Sequence, residues 1–268
     1  MEDRTASSPR LGPRASSYAD GVAEELTDTA ALRGAHFTRV DLSGVRMRDV
    51  DLTGARIVDA LLVGAQLSGL IDGLTVNDVE VAPLVAAELD RRNPERRLLR
   101  ADDPAGLREG WAAVEAFWRP TLAAAEDLPE SVRQERVEEE WSLVETLRHL
   151  VFVTDDWFGR AVLGRDHPYH SFGLVPAFLG DGSRLGLDPS AVPSFAEVLA
   201  VREARVDEVR AYLDAVDADD LSRPRRGDDD RGYPPPTTHT VLECLHVVMD
   251  EEWCHHQYAA RDLAVLTA

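Results

Sequence analysis

A large apolar residue stands at every fifth position of one stretch of this chain: Leu32, Phe37, Leu42, Met47, Leu52, Ile57, Leu62 and Leu67. Period five fits neither the turn of a helix nor the two-residue pleat of a strand. Two positions before each stands a small or β-branched residue, namely Ala30, Ala35, Val40, Val45, Val50, Ala55, Ala60 and Ala65. The residues between them are Asp, Ser, Thr, Arg and Gly, which suit corners and an outer surface.

This pattern, as in Val40-Asp41-Leu42-Ser43-Gly44 and Val50-Asp51-Leu52-Thr53-Gly54, resembles the pentapeptide-repeat family. The resemblance implies a right-handed, quadrilateral β-solenoid in which each pentapeptide makes one side and the two patterned positions point inward. Four sides to a coil allow two coils, stacked at roughly 4.8 Å as neighbouring strands are. That is short for an array stabilised by stacking, so the stub is expected to lean on the rest of the chain. Longer members of the family include acidic rods that mimic DNA. Arg33, Arg39, Arg46, Arg48 and Arg56 lie within the repeat, which weakens the mimic reading here.

Charge narrows the function classes. The 268 residues carry 49 Asp and Glu against 29 Lys and Arg, a formal net charge of −20. A field of that sign repels phosphate backbones and anionic lipid, so no nucleic-acid and no membrane partner is expected. Apolar runs all fall short of a bilayer span and the N-terminus lacks a signal-peptide pattern. Cys244 and Cys254 have no C-x-x-C spacing and read as two small apolar residues in a reducing compartment. A cytoplasmic location follows as the expectation.

Residues 1–29, rich in Ser, Ala, Arg, Asp and Glu, read as a mobile tail with a weak helix over 18–26. The repeat segment takes residues 30–78. Residues 79–268 read as helical: a short helix over 81–92 ended by Asn93-Pro94, then four long helices over 105–126, 138–163, 194–215 and 240–266. Long connections at 164–193 and 217–236 separate them, which suits an antiparallel four-helix bundle. The second connection reads as a solvated surface loop, long enough to serve as a lid. The fold class is therefore mainly α, with the short solenoid in front.

The densest run of potential ligands is Asp250-Glu251-Glu252-Trp253-Cys254-His255-His256 in the last helix. Helical i,i+4 spacing pairs Glu251 with His255 and Glu252 with His256, and either pair offers an oxygen and an imidazole to one metal ion. Helical phase sets Glu251 and His255 on one side of the apolar stripe that centres near Val248, and Glu252 and His256 on the other. His255 lies closest to the middle of the stripe, but both pairs border it, and phase does not choose between them. A third ligand can come from His149 on the second helix, where Ser142, Glu145, His149, Asp156 and Arg160 form a polar stripe opposite the apolar face. Solvation of that stripe is the competing reading.

The segment from Glu140-Trp141-Ser142 through Arg148-His149, continuing to Asp155 and Trp157, together with Glu251-Glu252-Trp253 and His255, resembles the DinB-like superfamily. In particular it is similar to the branch of mycothiol-dependent maleylpyruvate isomerase and related thiol-dependent transferases, over residues 79–266. The resemblance implies a four-helix bundle with a divalent metal, zinc foremost, held by His149, Glu251 and His255. It departs from the commoner His-x-x-x-His form in having Glu251 first, as the isomerase-like branch does. It leaves His256 without a role.

Two imidazoles and one carboxylate leave a divalent ion net positive with an open position, the layout of a catalytic site. A low-molecular-weight thiol such as mycothiol, coordinated there, loses its proton and can attack an electrophilic carbon. The expected activity is thiol addition, exchange or thiol-assisted isomerisation on a small-molecule electrophile, by a chain that can form a homodimer. Two alternatives stay open: a metal-dependent hydrolase using water at the same site, and a non-enzymatic acidic interaction protein. His36, His167, His170, His239 and His246 read as surface positions, with His167 and His170 near enough to the end of the bundle for substrate contact. Trp141, Trp157 and Trp253 read as core aromatics before pocket walls.

Overall fold

The computed structural model describes residues 25–27, 29–138, 140–176, 179–226 and 238–268. Most of the expected tail, most of the weak helix over 18–26, and residues 227–236 of the last connection lie outside them. The chain divides into two compact units between Val50 and Asp51.

In the first unit the repeat closes turns from Ala35 N to Leu32 O at 2.9 Å and from Val45 N to Leu42 O at 3.1 Å. Gly34 and Gly44 occupy them at φ of 73° and 74°, the left-handed region that glycine reaches without a Cβ penalty. The repeats of the second unit follow the same rule, with Ala55 N to Leu52 O at 2.9 Å and Ala65 N to Leu62 O at 3.1 Å. The glycine turn thus recurs every ten residues, once per two pentapeptides. The patterned apolar residues are not enclosed: Leu42 is 46% exposed and Ile57 66%.

Past the repeat, β1 (Thr75–Val76) and β2 (Val79–Glu80) form a hairpin. Asn77 and Asp78, both at positive φ, make its two-residue turn. Helix α1 (Ala82–Arg92) stops at Asn93 before Pro94, and a 3-10 turn (Pro94–Arg100) leads into α2 (Pro104–Glu126). Asp103 caps α2 by accepting from Ala105 N and Gly106 N. After α3 (Glu130–Arg133), α4 (Leu143–Val153) begins later than the start at residue 138 that the apolar period suggests. Glu138 stands at φ 50° and cannot be helical, and Ser142 with Glu145 forms the capping box that sets the start.

A π segment (Thr154–Val162) carries α4 onward. Helix α5 (Phe195–Ala215) is capped by Ser194 and Glu197. Beyond it lie α6 (Ala218–Leu221) and a two-stranded sheet of β3 (Pro224–Arg226) on β4 (Thr238–Thr240). The described part of the second connection therefore carries α6 and β3 and is not all loop. Helix α7 (Val241–Leu266) follows, capped by Thr240 and Glu243. The described chain is mainly helical, and none of its helices is long and apolar enough to cross a membrane.

Helix α2 packs on α5 and α7, and α4 packs on the same two. Trp111 and Trp118 of α2, Leu147 and Phe152 of α4, Phe158 of the π segment and Leu245 and Met249 of α7 fill the core between them. Every residue of α4 except Glu145 is buried. Of the polar stripe, His149 and Asp156 do not meet solvent, the competing reading, but bond to Leu174 and Tyr169 of the stretch 169–174.

Candidate metal centre

The polar side chains that helical phase left undistinguished on α7 face three different neighbours. Glu252, 1% exposed, takes a hydrogen bond of 2.6 Å from Arg202 of α5, whose guanidinium also lies 4.8 Å over the Trp118 ring. His256 turns to α2, where Nε2 meets Thr121 Oγ1 at 2.9 Å and the ring lies against Phe117 and Trp118. Burial pushes its pKa down to about 4. Glu252 and His256 are thereby committed to packing.

Glu251 and His255 face α4. One ligand atom from each of His149, Glu251 and His255 lies within 4.8 Å of the other two. Glu251 Oε2 is 3.1 Å from His255 Nε2 and 3.6 Å from His149 Nε2, and the two imidazole rings are 4.6 Å apart. Burial holds His149 below the usual imidazole range.

The tautomer of His149 follows from its other nitrogen. Nδ1 sits 3.0 Å from the Leu174 carbonyl, which can only accept, so Nδ1 carries the proton. In the neutral ring Nε2 then presents a lone pair toward the Glu251 carboxylate. Two electron-rich groups aimed at one point, with His149 buried, suit a shared cation.

Trp141, immediately before the α4 cap, covers the pair of rings. Its ring lies 4.7 Å from that of His149 and 5.9 Å from that of His255, tilted by only 23° from the latter. Tyr258 meets His255 edge-on at 5.8 Å. Glu251 remains 32% exposed, so the group opens to solvent on its side.

The model of the DinB superfamily matches residues 113–259, more than half of the chain. The chain belongs to the DinB superfamily. Eight copies of the pentapeptide repeat match residues 30–69. Among curated proteins none matches. A crystal structure of a protein from Streptococcus pneumoniae, determined by a structural genomics consortium, is similar at 16% identity over 59% of this chain and 89% of its own, with a TM-score of 0.41.

In this DinB-superfamily chain the remaining histidines are placed individually. His170 is half-buried, and its Nδ1 accepts from Phe172 N at 3.2 Å. His246 Nε2 donates to the Ala101 carbonyl at 2.8 Å, and His239 packs edge-on against Trp157. His36 and His167 are exposed. Glu145 caps α4 and pairs with Arg136. One part of the site has no signal in the sequence, the Leu174 carbonyl; Trp141, read first as a core aromatic and second as a pocket wall, lies against the imidazoles.

Proposed function

We propose that this chain is a divalent-metal-dependent transferase that activates a low-molecular-weight thiol for addition, exchange or thiol-assisted isomerisation on an electrophilic small molecule. In this reading α2, α4 with its π segment, α5 and α7 form a four-helix bundle, and residues 30–69 form a short solenoid. The observation that carries it is the convergence of His149, Glu251 and His255, from two elements, on one partly open point.

The donor set fits zinc, which takes imidazole and carboxylate ligands and keeps an open position in catalytic sites. Such an ion supplies the positive charge that lets a thiol lose its proton at neutral pH. His149 and His255 give neutral donors and Glu251 a single negative charge, so the chain leaves the centre positive and receptive to an anionic sulfur. Trp141 and Tyr258 shield its flank from water and offer aromatic faces to an apolar substrate.

The chain's own sulfurs support an external thiol. Burial pushes both Cys244 and Cys254 up to about 12, which keeps them protonated. The test is elemental analysis of protein purified with zinc supplementation, joined to a screen of thiols, mycothiol included, against electrophiles. About one equivalent of metal in the wild type, lost on His255→Ala, and product formed only with a thiol are expected. Metal-free protein, or equal turnover without thiol, would reject the reading.

A further inference from the structure

The four side chains Arg148, His149, Asp155 and Asp156 all grip one connection. Arg148 Nε donates to Phe172 O at 2.8 Å, and the Arg148 carbonyl accepts from Leu174 N at 3.2 Å. His149 Nδ1 donates to Leu174 O at 3.0 Å. Two turns on, in the π segment, Asp155 Oδ2 accepts from His170 N at 2.8 Å and Asp156 Oδ1 accepts from Tyr169 OH at 2.7 Å. Ascending from 148 to 156, the helix meets the connection descending from 174 to 169. The connection thus lies antiparallel along two helical turns.

The clamp is itself braced. Arg205 of α5 forms an ion pair with Asp155 and reaches the Pro168 carbonyl. Gly159 lets the connection approach: a Cβ there would stand 2.8 Å from Pro168 Cβ. Arg148 is 7% exposed, Asp155 2% and Asp156 0%, and burying charges of this kind is costly unless the geometry they hold is needed or well paired. π segments recur at functional sites, and this one begins about one turn past His149.

We propose that residues 168–174 are a built part of the metal centre, in which Arg148 and Asp155 act as positioning residues. They seat the Leu174 carbonyl on His149 Nδ1, which fixes the ring's tautomer and turns Nε2 toward Glu251 and His255. This rests on the metal reading above. A hydrogen-bond partner on the far nitrogen of a metal-binding histidine commonly accounts for about 10- to 100-fold in metal affinity.

The experiment uses the full chain and two substitutions, Arg148→Met, which keeps the buried volume, and Asp155→Asn, which keeps the shape. Zinc affinity is measured by competition with a chromophoric chelator, and the His149 tautomer of the metal-free protein by nitrogen-15 NMR. The wild type should show His149 protonated at Nδ1. Arg148→Met should weaken zinc by about 10- to 100-fold and mix the tautomers, and Asp155→Asn should act in the same direction. Should Arg148→Met not fold, Asp155→Asn carries the test alone. Variants that bind zinc as the wild type does, with an unchanged tautomer, would overturn the positioning role. A wild type that takes up no zinc would instead overturn the metal reading.

Discussion

Cys254 lies one residue before His255 on α7, yet the environment denies it the part of nucleophile. Burial, with the carboxylates of Asp250 and Glu251 adding to it, pushes its thiol up to about 12. At pH 8 the thiolate is then about one part in ten thousand of the total. Both cysteines should resist iodoacetamide at pH 8 over minutes in the folded chain and react readily in denaturant, as intact mass will show. His256 gives a second test at this scale. Its folded pKa of about 4 lies below the ordinary imidazole value of 6.5, so between these pH values the unfolded chain binds more protons. Stability from this ring is complete above pH 6.5 and is lost as pH falls toward 4. Allowing for solvent screening of a half-buried ring, about 1–2 kcal/mol is at stake. Urea unfolding at pH 7 and pH 4.5 should show His256→Gln losing less stability than the wild type over that interval.

Among the elements, those with both an apolar period and a cap were legible in the sequence. Asp103, Ser194 and Thr240 each stand at the start of an expected helix or just before it, and α2, α5 and α7 begin immediately after them. For the second long helix the apolar spacing predicts too early a start, because Val137, Trp141 and Val144 continue it across a break that only the Ser142 and Glu145 box marks. The π segment had no signal, since its sequence keeps a helical apolar pattern while the hydrogen bonds shift by one residue. Likewise phase does not distinguish Glu251 from Glu252; the family resemblance favours Glu251, and Glu252 is taken up by Arg202, 50 residues away. Close approaches are also hidden from pattern. At Gly110 of α2 a Cβ would stand 2.5 Å from the Leu98 carbonyl, a backbone atom of the 3-10 turn that cannot swing aside. Gly110→Ala should therefore destabilise the chain by about 1–3 kcal/mol, despite alanine's better helix propensity, as denaturant midpoints will show.

At the scale of the whole molecule, the −20 charge and the proposed metal centre are expected to make separable contributions to stability. Diffuse like charge repels itself in the compact state, and salt screens that repulsion over about 10 Å at roughly 0.1 M. Potassium chloride should accordingly raise the melting temperature of the wild type and of Glu251→Gln alike, because one carboxylate in 49 barely alters the field. Zinc differs in kind. A ligand that binds only the folded chain stabilises it by about 2.7 kcal/mol at a hundred times its dissociation constant. That gain depends on the negative charge that Glu251 sets beside His149 and His255, and glutamine keeps the shape of Glu251 without its charge. Thermal melts at fixed ionic strength, with and without micromolar zinc, should show a rise in the wild type that Glu251→Gln abolishes. An equal rise in both would place zinc on the acidic surface rather than among His149, Glu251 and His255, since only surface binding is indifferent to that one charge.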